Sequence, residues 1–132
     1  MRILYDTNIL AKFTRREELA TFRALVSEGQ IVHITSEYIL DELEMVLSLK
    51  FGLTKQKAKV TVRLFARLSE VVKPESIEKV CRDSFDDYVL AAAIEGGADY
   101  LVTEDKDLLV LREHKNIKIV NTSTFKSVLA NI

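Results

Sequence analysis

Short apolar runs punctuate the chain at Ile3–Tyr5, Ile31–Ile34, Tyr100–Val102 and Ile117–Val120. Each is rich in β-branched or aromatic residues and bounded by polar sequence, the pattern of a buried strand. Between them the apolar positions recur at helical spacing. In Ser36–Leu49 the side chains of Ile39, Leu43, Val46 and Leu47 share one face, and Ser36 is placed to cap the helix. Thr54 is expected to cap a helix running to about Leu68, and Ser84 one running to about Glu95, where Gly96-Gly97 stops it. A last helix is predicted from about Thr122. Lys73-Pro74-Glu75 reads as a loop, and no linker, repeat or low-complexity run interrupts the pattern. Strands alternating with helices predict an α/β fold in which helices cover both faces of a mostly parallel sheet, as one domain over residues 1–132.

Two of the predicted strands run straight into acids. Ile3–Tyr5 is followed by Asp6-Thr7-Asn8, and Tyr100–Val102 by Thr103-Glu104-Asp105. In open parallel sheets ligands bind beyond the carboxyl ends of the strands, so Asp6 and Asp105 are expected near one another at that edge. Each could equally cap the helix that follows it. Glu42 lies on the shoulder of the apolar face of its helix, among Ile39, Met45, Val46 and Leu49, where an unpaired carboxylate is costly; a salt bridge or a side chain reaching to solvent would also account for it. Ser84-Phe85-Asp86-Asp87 matches a capping box joining Ser84 and Asp87. Yet Asp87 shares its helical face with Leu90, Ala91 and Ile94 and so points inward, with Asp83 one turn earlier.

Composition narrows the chemistry. The chain has 132 residues, 48% of them hydrophobic, with 19 basic and 20 acidic residues and a net charge of −1. No global positive field gathers polyanions, so an anionic substrate needs a local basic patch or a metal. Cys81 is alone and cannot form an internal disulfide; it reads as a small buried hydrophobe in a reducing compartment. The longest apolar run, Tyr88–Ile94, is far shorter than the roughly 20 residues of a membrane span, and no leader pattern is present, so a cytoplasmic protein is expected. Four acids tending to one cleft would repel one another and raise some pKa values unless a cation neutralises them. Oxygen ligands without a His or Cys cluster favour Mg²⁺ or Mn²⁺; His33 and His114 stand apart and read as structural or exposed.

The order DTN after the first strand, a helical Glu in SEYILDELEMVL, then DDYVLAAA and GADYLVTEDKDLL resembles PIN-domain proteins, particularly the VapC-like toxin components of prokaryotic toxin–antitoxin pairs. The likeness runs the length of the chain and is most specific in its C-terminal block. It implies a three-layer α/β/α sandwich, and a metal-dependent ribonuclease leaving 5′-phosphate and 3′-hydroxyl ends. By position the implied catalytic and metal-binding acids are Asp6, Glu42, Asp87 and Asp105, with Asn8 and Thr103 steadying ligands or water. Asp83, Asp86 and Asp107 stand close enough to leave the ligand set open among neighbours. Ser84, where many relatives have proline, and Glu104, where many have another residue, depart from the pattern. An antitoxin partner and a homodimer are also implied.

Lys55, Lys59, Arg63 and Arg67 repeat every four residues after Thr54, opposite Ala58, Leu64, Phe65 and Leu68. Such a stripe is an ordinary solvated face, a phosphate track or a docking face for an acidic partner segment. Other classes fit less well. A non-catalytic interaction module of the same fold would be expected to lose some of the four acids, and an RNA-processing nuclease outside a toxin–antitoxin pair would keep them. A receiver-like domain needs an early acidic pair and a phospho-accepting Asp after a middle strand, where this chain has His33-Ile34-Thr35-Ser36; a phosphohydrolase using an Asp nucleophile needs DxDxT where this chain has DTN.

Overall fold

The computed structural model describes residues 1–132, and the apolar runs become strands: β1 (Arg2–Tyr5), β2 (Val32–Ser36), β3 (Ser69–Val72), β4 (Tyr100–Val102), β5 (Glu113–His114) and β6 (Ile117–Val120). Helices alternate with them: α1 (Thr7–Lys12), α2 (Arg16–Ser27), α3 (Glu37–Leu49), α4 (Lys55–Leu68), α5 (Ser84–Glu95), α6 (Lys106–Leu109) and α7 (Thr122–Ala130). The strands make one six-stranded sheet in the order β3-β2-β1-β4-β6-β5. All neighbours run parallel except β5, which joins β6 through a hairpin. The result is the expected three-layer α/β/α sandwich with a mostly parallel sheet. No helix is long and apolar enough to cross a membrane.

The core is a single cluster that includes Ile3, Leu4, Ile34, Leu43, Phe65, Leu90 and Leu101. A buried histidine adjoins it. His33 is fully buried in β2; its Nε2 accepts from the Tyr5 N–H at 3.2 Å, and its Nδ1 lies 2.7 Å from Ser69 Oγ. Burial depresses its pKa to about 3, so the imidazole is neutral and Nδ1 is the nitrogen that donates. His33 is thus structural, a bridge between β1 and β3 across the middle of the sheet.

Helix ends follow local chemistry. The side chains of Ser36 and Thr54 accept from the N–H groups of Ile39 and Lys57, as expected of caps. The capping box at Ser84 does not form. Asp83 caps α5 instead, accepting from Phe85 N–H, and Ser84 is the first helical residue. Helix α5 ends at Gly96-Gly97 as predicted, with Gly97 left-handed at φ +59°. Strand β2 begins and ends later than Ile31–Ile34, because Thr35 and Ser36 pair with Val71 and Val72 of β3. That edge strand, mostly exposed and carrying Ser69 and Glu70, has no apolar alternation to announce it.

Gly96 has a second role. A Cβ there would lie 2.5 Å from Ile34 Cγ2 in the core. Gly96→Ala should therefore overpack the contact between α5 and β2 and cost about 1–3 kcal/mol, read as a lower urea midpoint with an unchanged m value.

Candidate metal centre at the sheet edge

The strand order places β2 on one side of β1 and β4 on the other, so the order in which successive strands are added to the sheet reverses between β1 and β4 while the strands stay parallel. Such a switch point opens a crevice at the carboxyl ends of the strands. Asp6 and Asp105 stand there. Asp6 is buried and caps α1 by accepting from Thr7 N–H at 2.7 Å, and Asp105 caps α6 by accepting from Asp107 N–H at 2.9 Å. Capping and clustering, alternatives in the sequence, are here done by the same side chains.

Thr103 joins the two. Its hydroxyl, fully buried at the end of β4, donates to Asp6 Oδ2 at 2.8 Å and accepts from the Asp105 N–H at 3.0 Å. Burial raises the pKa of Asp6; the Thr103 and Thr7 hydrogen bonds oppose that rise, and the charges of Asp105 and Glu42 add to it. Half-buried Glu42, on α3, is therefore close enough to Asp6 to repel it. Asn8 is exposed, and its side chain makes no hydrogen bond within the protein.

The α5 acid in the crevice is Asp86, not Asp87. Carboxylate oxygens of Asp86, Asp105 and Asp107 lie within 4.8 Å of one another. Asp86 is buried, and its Oδ2 has no hydrogen-bond partner. Burial first, then the charges of Asp105, Asp6 and Asp83 and the closeness of the Asp105 carboxylate, push its pKa up to about 7. Asp87, one residue on, is turned away. Its Oδ1 accepts from the N–H groups of Val80 and Cys81 at 2.8 and 2.7 Å, which together hold its pKa below the usual carboxylate range. Asp87 does point inward, as expected, but towards the loop before α5. Asp83 stands near enough to Asp86 to raise its pKa while serving as the helix cap.

Sequence reasoning placed Asp87 in the site and left Asp86 and Asp107 among open neighbours. The reason is physical: α5 buries Asp86, Asp87 and every residue from Val89 to Ala93, so its apolar pattern does not say which face meets the crevice. Asp107 was legible only through its spacing from Asp105.

Only one cation touches this cluster. Arg82 pairs with Asp107 at 2.7 Å, while the other two ion pairs, Arg2 with Glu70 and Lys115 with Glu78, lie elsewhere. The stripe of Lys55, Lys59, Arg63 and Arg67 is exposed along α4 and enters no ion pair. A crevice of convergent carboxylates, one buried oxygen unpartnered and only one of the acids paired, fits a hard divalent cation with oxygen ligands. Soft thiolate or imidazole coordination does not fit: Cys81 is turned into its surroundings with a pKa raised to about 11, chiefly by burial, and neither histidine reaches the acids' cluster.

A family model described as PIN domain matches residues 2–107. A curated relative, the uncharacterized protein MJ1680 of Methanocaldococcus jannaschii, is 35% identical over 129 residues, covering 92% of this chain and 82% of its own. Among solved structures, PAE2754 from Pyrobaculum aerophilum superposes with a TM-score of 0.66 at 17% identity, over 100% of this chain and 91% of that one. VapBC2 from Rickettsia felis, bound to a DNA fragment from its promoter, gives 0.64 at 16%, over 92% and 98%. VapBC-1 from nontypeable Haemophilus influenzae gives 0.59 at 14%, over 90% and 96%.

Asp86 and Asp87 can be told apart by experiment. Without a cation, Asp86 keeps a proton up to about pH 7 in the folded protein, whereas the unfolded chain releases it near pH ~4. Stability should then fall as pH rises through that interval, and Asp86→Asn should remove that part of the slope, raise the metal-free Tm at pH 8 and abolish the Tm rise on adding Mn²⁺. Asp87→Asn should lower Tm yet keep the Mn²⁺-induced rise. Differential scanning fluorimetry in EDTA and in Mn²⁺ reads both; the reverse pattern would assign the cation to Asp87.

Proposed function

We propose, given that this chain belongs to the PIN-domain family, that it is a metal-dependent endoribonuclease acting through the sheet-edge acids, and the toxin of a toxin–antitoxin pair. The observation that carries the chemistry is the meeting of Asp86, Asp105 and Asp107 oxygens within 4.8 Å beside Asp6. The toxin assignment is supported by similarity of fold to chains from two VapBC complexes. One PIN-like domain over residues 1–132, working in the cytoplasm, completes the reading.

Asp6, Asp86 and Asp105 would hold the cation, Mg²⁺ or Mn²⁺, with Glu42 and Asp107 at its margins. Bound there, the cation would supply Lewis acidity and charge neutralisation for hydrolysis of a phosphodiester by water. The chain's own contribution is positional. Thr103 holds the Asp6 carboxylate and the Asp105 backbone in one hydrogen-bonded unit, and the Asp107 N–H holds the Asp105 carboxylate, so both are kept in the crevice without a cation. Asp86 would change most: its raised pKa keeps it protonated near neutrality without a cation, so holding one there would require it to give up that proton, and cation affinity would strengthen with rising pH. Arg82, its guanidinium on Asp107 and largely exposed, offers positive charge to an approaching phosphate at the rim.

Exposed Met45 and Leu49 on α3 give apolar surface that a second copy would cover in a homodimer. The α4 stripe would track phosphates. Reversing charge with Lys59→Glu and Arg63→Glu should weaken RNA binding and flatten its salt dependence, by about 0.7 in the log–log slope for each single-strand phosphate no longer neutralised; an unchanged slope leaves the stripe a solvated face.

The central test is cleavage of labelled single-stranded and structured RNAs with Mg²⁺ or Mn²⁺. Cutting should disappear in EDTA and fall at least about a hundredfold in Asp6→Asn, which deletes one ligand charge at nearly constant shape. The circular dichroism of that variant should stay native. Failure to cut any RNA, with no metal-induced rise in Tm, would instead leave a non-catalytic interaction module of the same fold.

A further inference from the structure

The crevice does not end at the acids. Because β1, β2, β3 and β4 are parallel neighbours, their carboxyl ends share one edge of the sheet. Beyond β2 and β3, that edge opens into a cavity of about 310 Å³, walled by Val71, Val72, Pro74 and Ile77, with Tyr38 and Tyr88 on the side of α3 and α5. Such a volume suits a small planar ligand or one unit of a polymer.

The two tyrosines are arranged as a platform. Their rings stack at 3.9 Å between centroids and 5° between planes, and Phe85 lies beside Tyr38 at 5.4 Å, tilted by 32°. Tyr38 is nevertheless 41% exposed. Neither phenol makes a hydrogen bond within the protein, so the fold does not use the polar tips of these rings. A stack formed only to fasten α3 to α5 would be expected to bury its rings and satisfy its hydroxyls. Tyr38 also lies one helical turn from Glu42, and its phenol feels the charges of Glu42 and Asp83, so platform and acids are contiguous. Lys73, lining the same cavity and exposed, is a cation suited to a phosphate entering beside the base.

We propose that the cavity bounded by Tyr38 and Tyr88 is a nucleobase subsite, taking one unpaired base of the RNA strand on the exposed ring of Tyr38 next to the acids. The subsite deepens the ribonuclease reading and rests on it for the identity of the polymer. Its energetics are favourable because the rings are already fixed against each other, so little side-chain freedom is lost on binding. A base engaged in a duplex has both faces covered by its neighbours and cannot use the platform, so the subsite selects single-stranded or bulged RNA.

The test uses Tyr38→Ala and Tyr38→Phe, with single-stranded RNAs carrying one abasic nucleotide at successive positions around the mapped cut. Losing one stacked base costs about tenfold. Tyr38→Ala should raise KM about tenfold with kcat little changed, and Tyr38→Phe should stay near wild type. In the wild-type protein one abasic position should cause a similar loss, and in Tyr38→Ala that position should cause no further loss. Equal abasic penalties in the two proteins would overturn the subsite, as would an unchanged KM. Fluorescence anisotropy of the same labelled RNAs in Ca²⁺ separates this result from the nuclease reading. Tyr38-dependent binding by a protein that cuts nothing would support the subsite and remove the nuclease, whereas cutting without Tyr38-dependent binding would do the opposite. Binding of none of the RNAs would overturn both. If Tyr38→Ala instead changes the sedimentation coefficient while RNA affinity stays constant, the cavity is a protein interface and the proposal fails.

Discussion

The hydroxyl of Thr103 donates to Asp6 Oδ2 and accepts from the N–H of Asp105, and those two bonds tie the Asp6 carboxylate to the backbone of Asp105 beyond the adjacent strand. A hydroxyl suits the position because one oxygen both donates and accepts, whereas an amide divides those roles between two atoms and an aliphatic side chain has neither. Everything else at the sheet edge adapts to that fixed pair. Asp86 cannot retreat, since α5 is packed on its buried face, so it relieves the crowding by keeping a proton. Asp107 relieves it by taking Arg82. The proposed divalent cation would neutralise the charge that these arrangements only partly relieve.

Much of this was legible before any coordinates. Strand-then-acid junctions at Asp6 and Asp105 required only short apolar runs and the rule that parallel sheets open at their carboxyl ends. Glu42 announced itself by standing on an apolar shoulder. The sheet's core strands and the ends of α3, α4 and α5 followed from periodicity and punctuation. What stayed hidden was hidden for reasons of geometry. The edge strand β3 is too polar and too exposed to show an alternation, and the two-residue β5 is defined only by its hairpin partner. Asp86 and Asp87 are about 100° apart on a helix buried nearly all round, so only the position of the Val80 and Cys81 N–H groups decides which one faces the crevice.

Helix α3 links the two halves of the edge. Ser36 caps it at the end of β2, Tyr38 stacks on Tyr88 from its first turn, and Glu42 reaches towards Asp6 from its second. A single rigid element therefore sets the distance between the stacked tyrosines and the acids.

The pairing of Asp87 with Val80 and Cys81 has a consequence for how the segment between β3 and α5 can change. Exposed connections usually tolerate gain or loss of residues. This one is tethered from within, at a point one residue before Arg82 and three before the first residue of α5. Inserting or deleting residues between the tether and the helix would have to stretch the tether, displace Arg82 from Asp107 or rotate α5 and carry Asp86 out of the crevice. Length variation among descendants of this chain should accordingly collect upstream of Val80, around Lys73–Ser76, and stop short of the stretch from Val80 to Asp87.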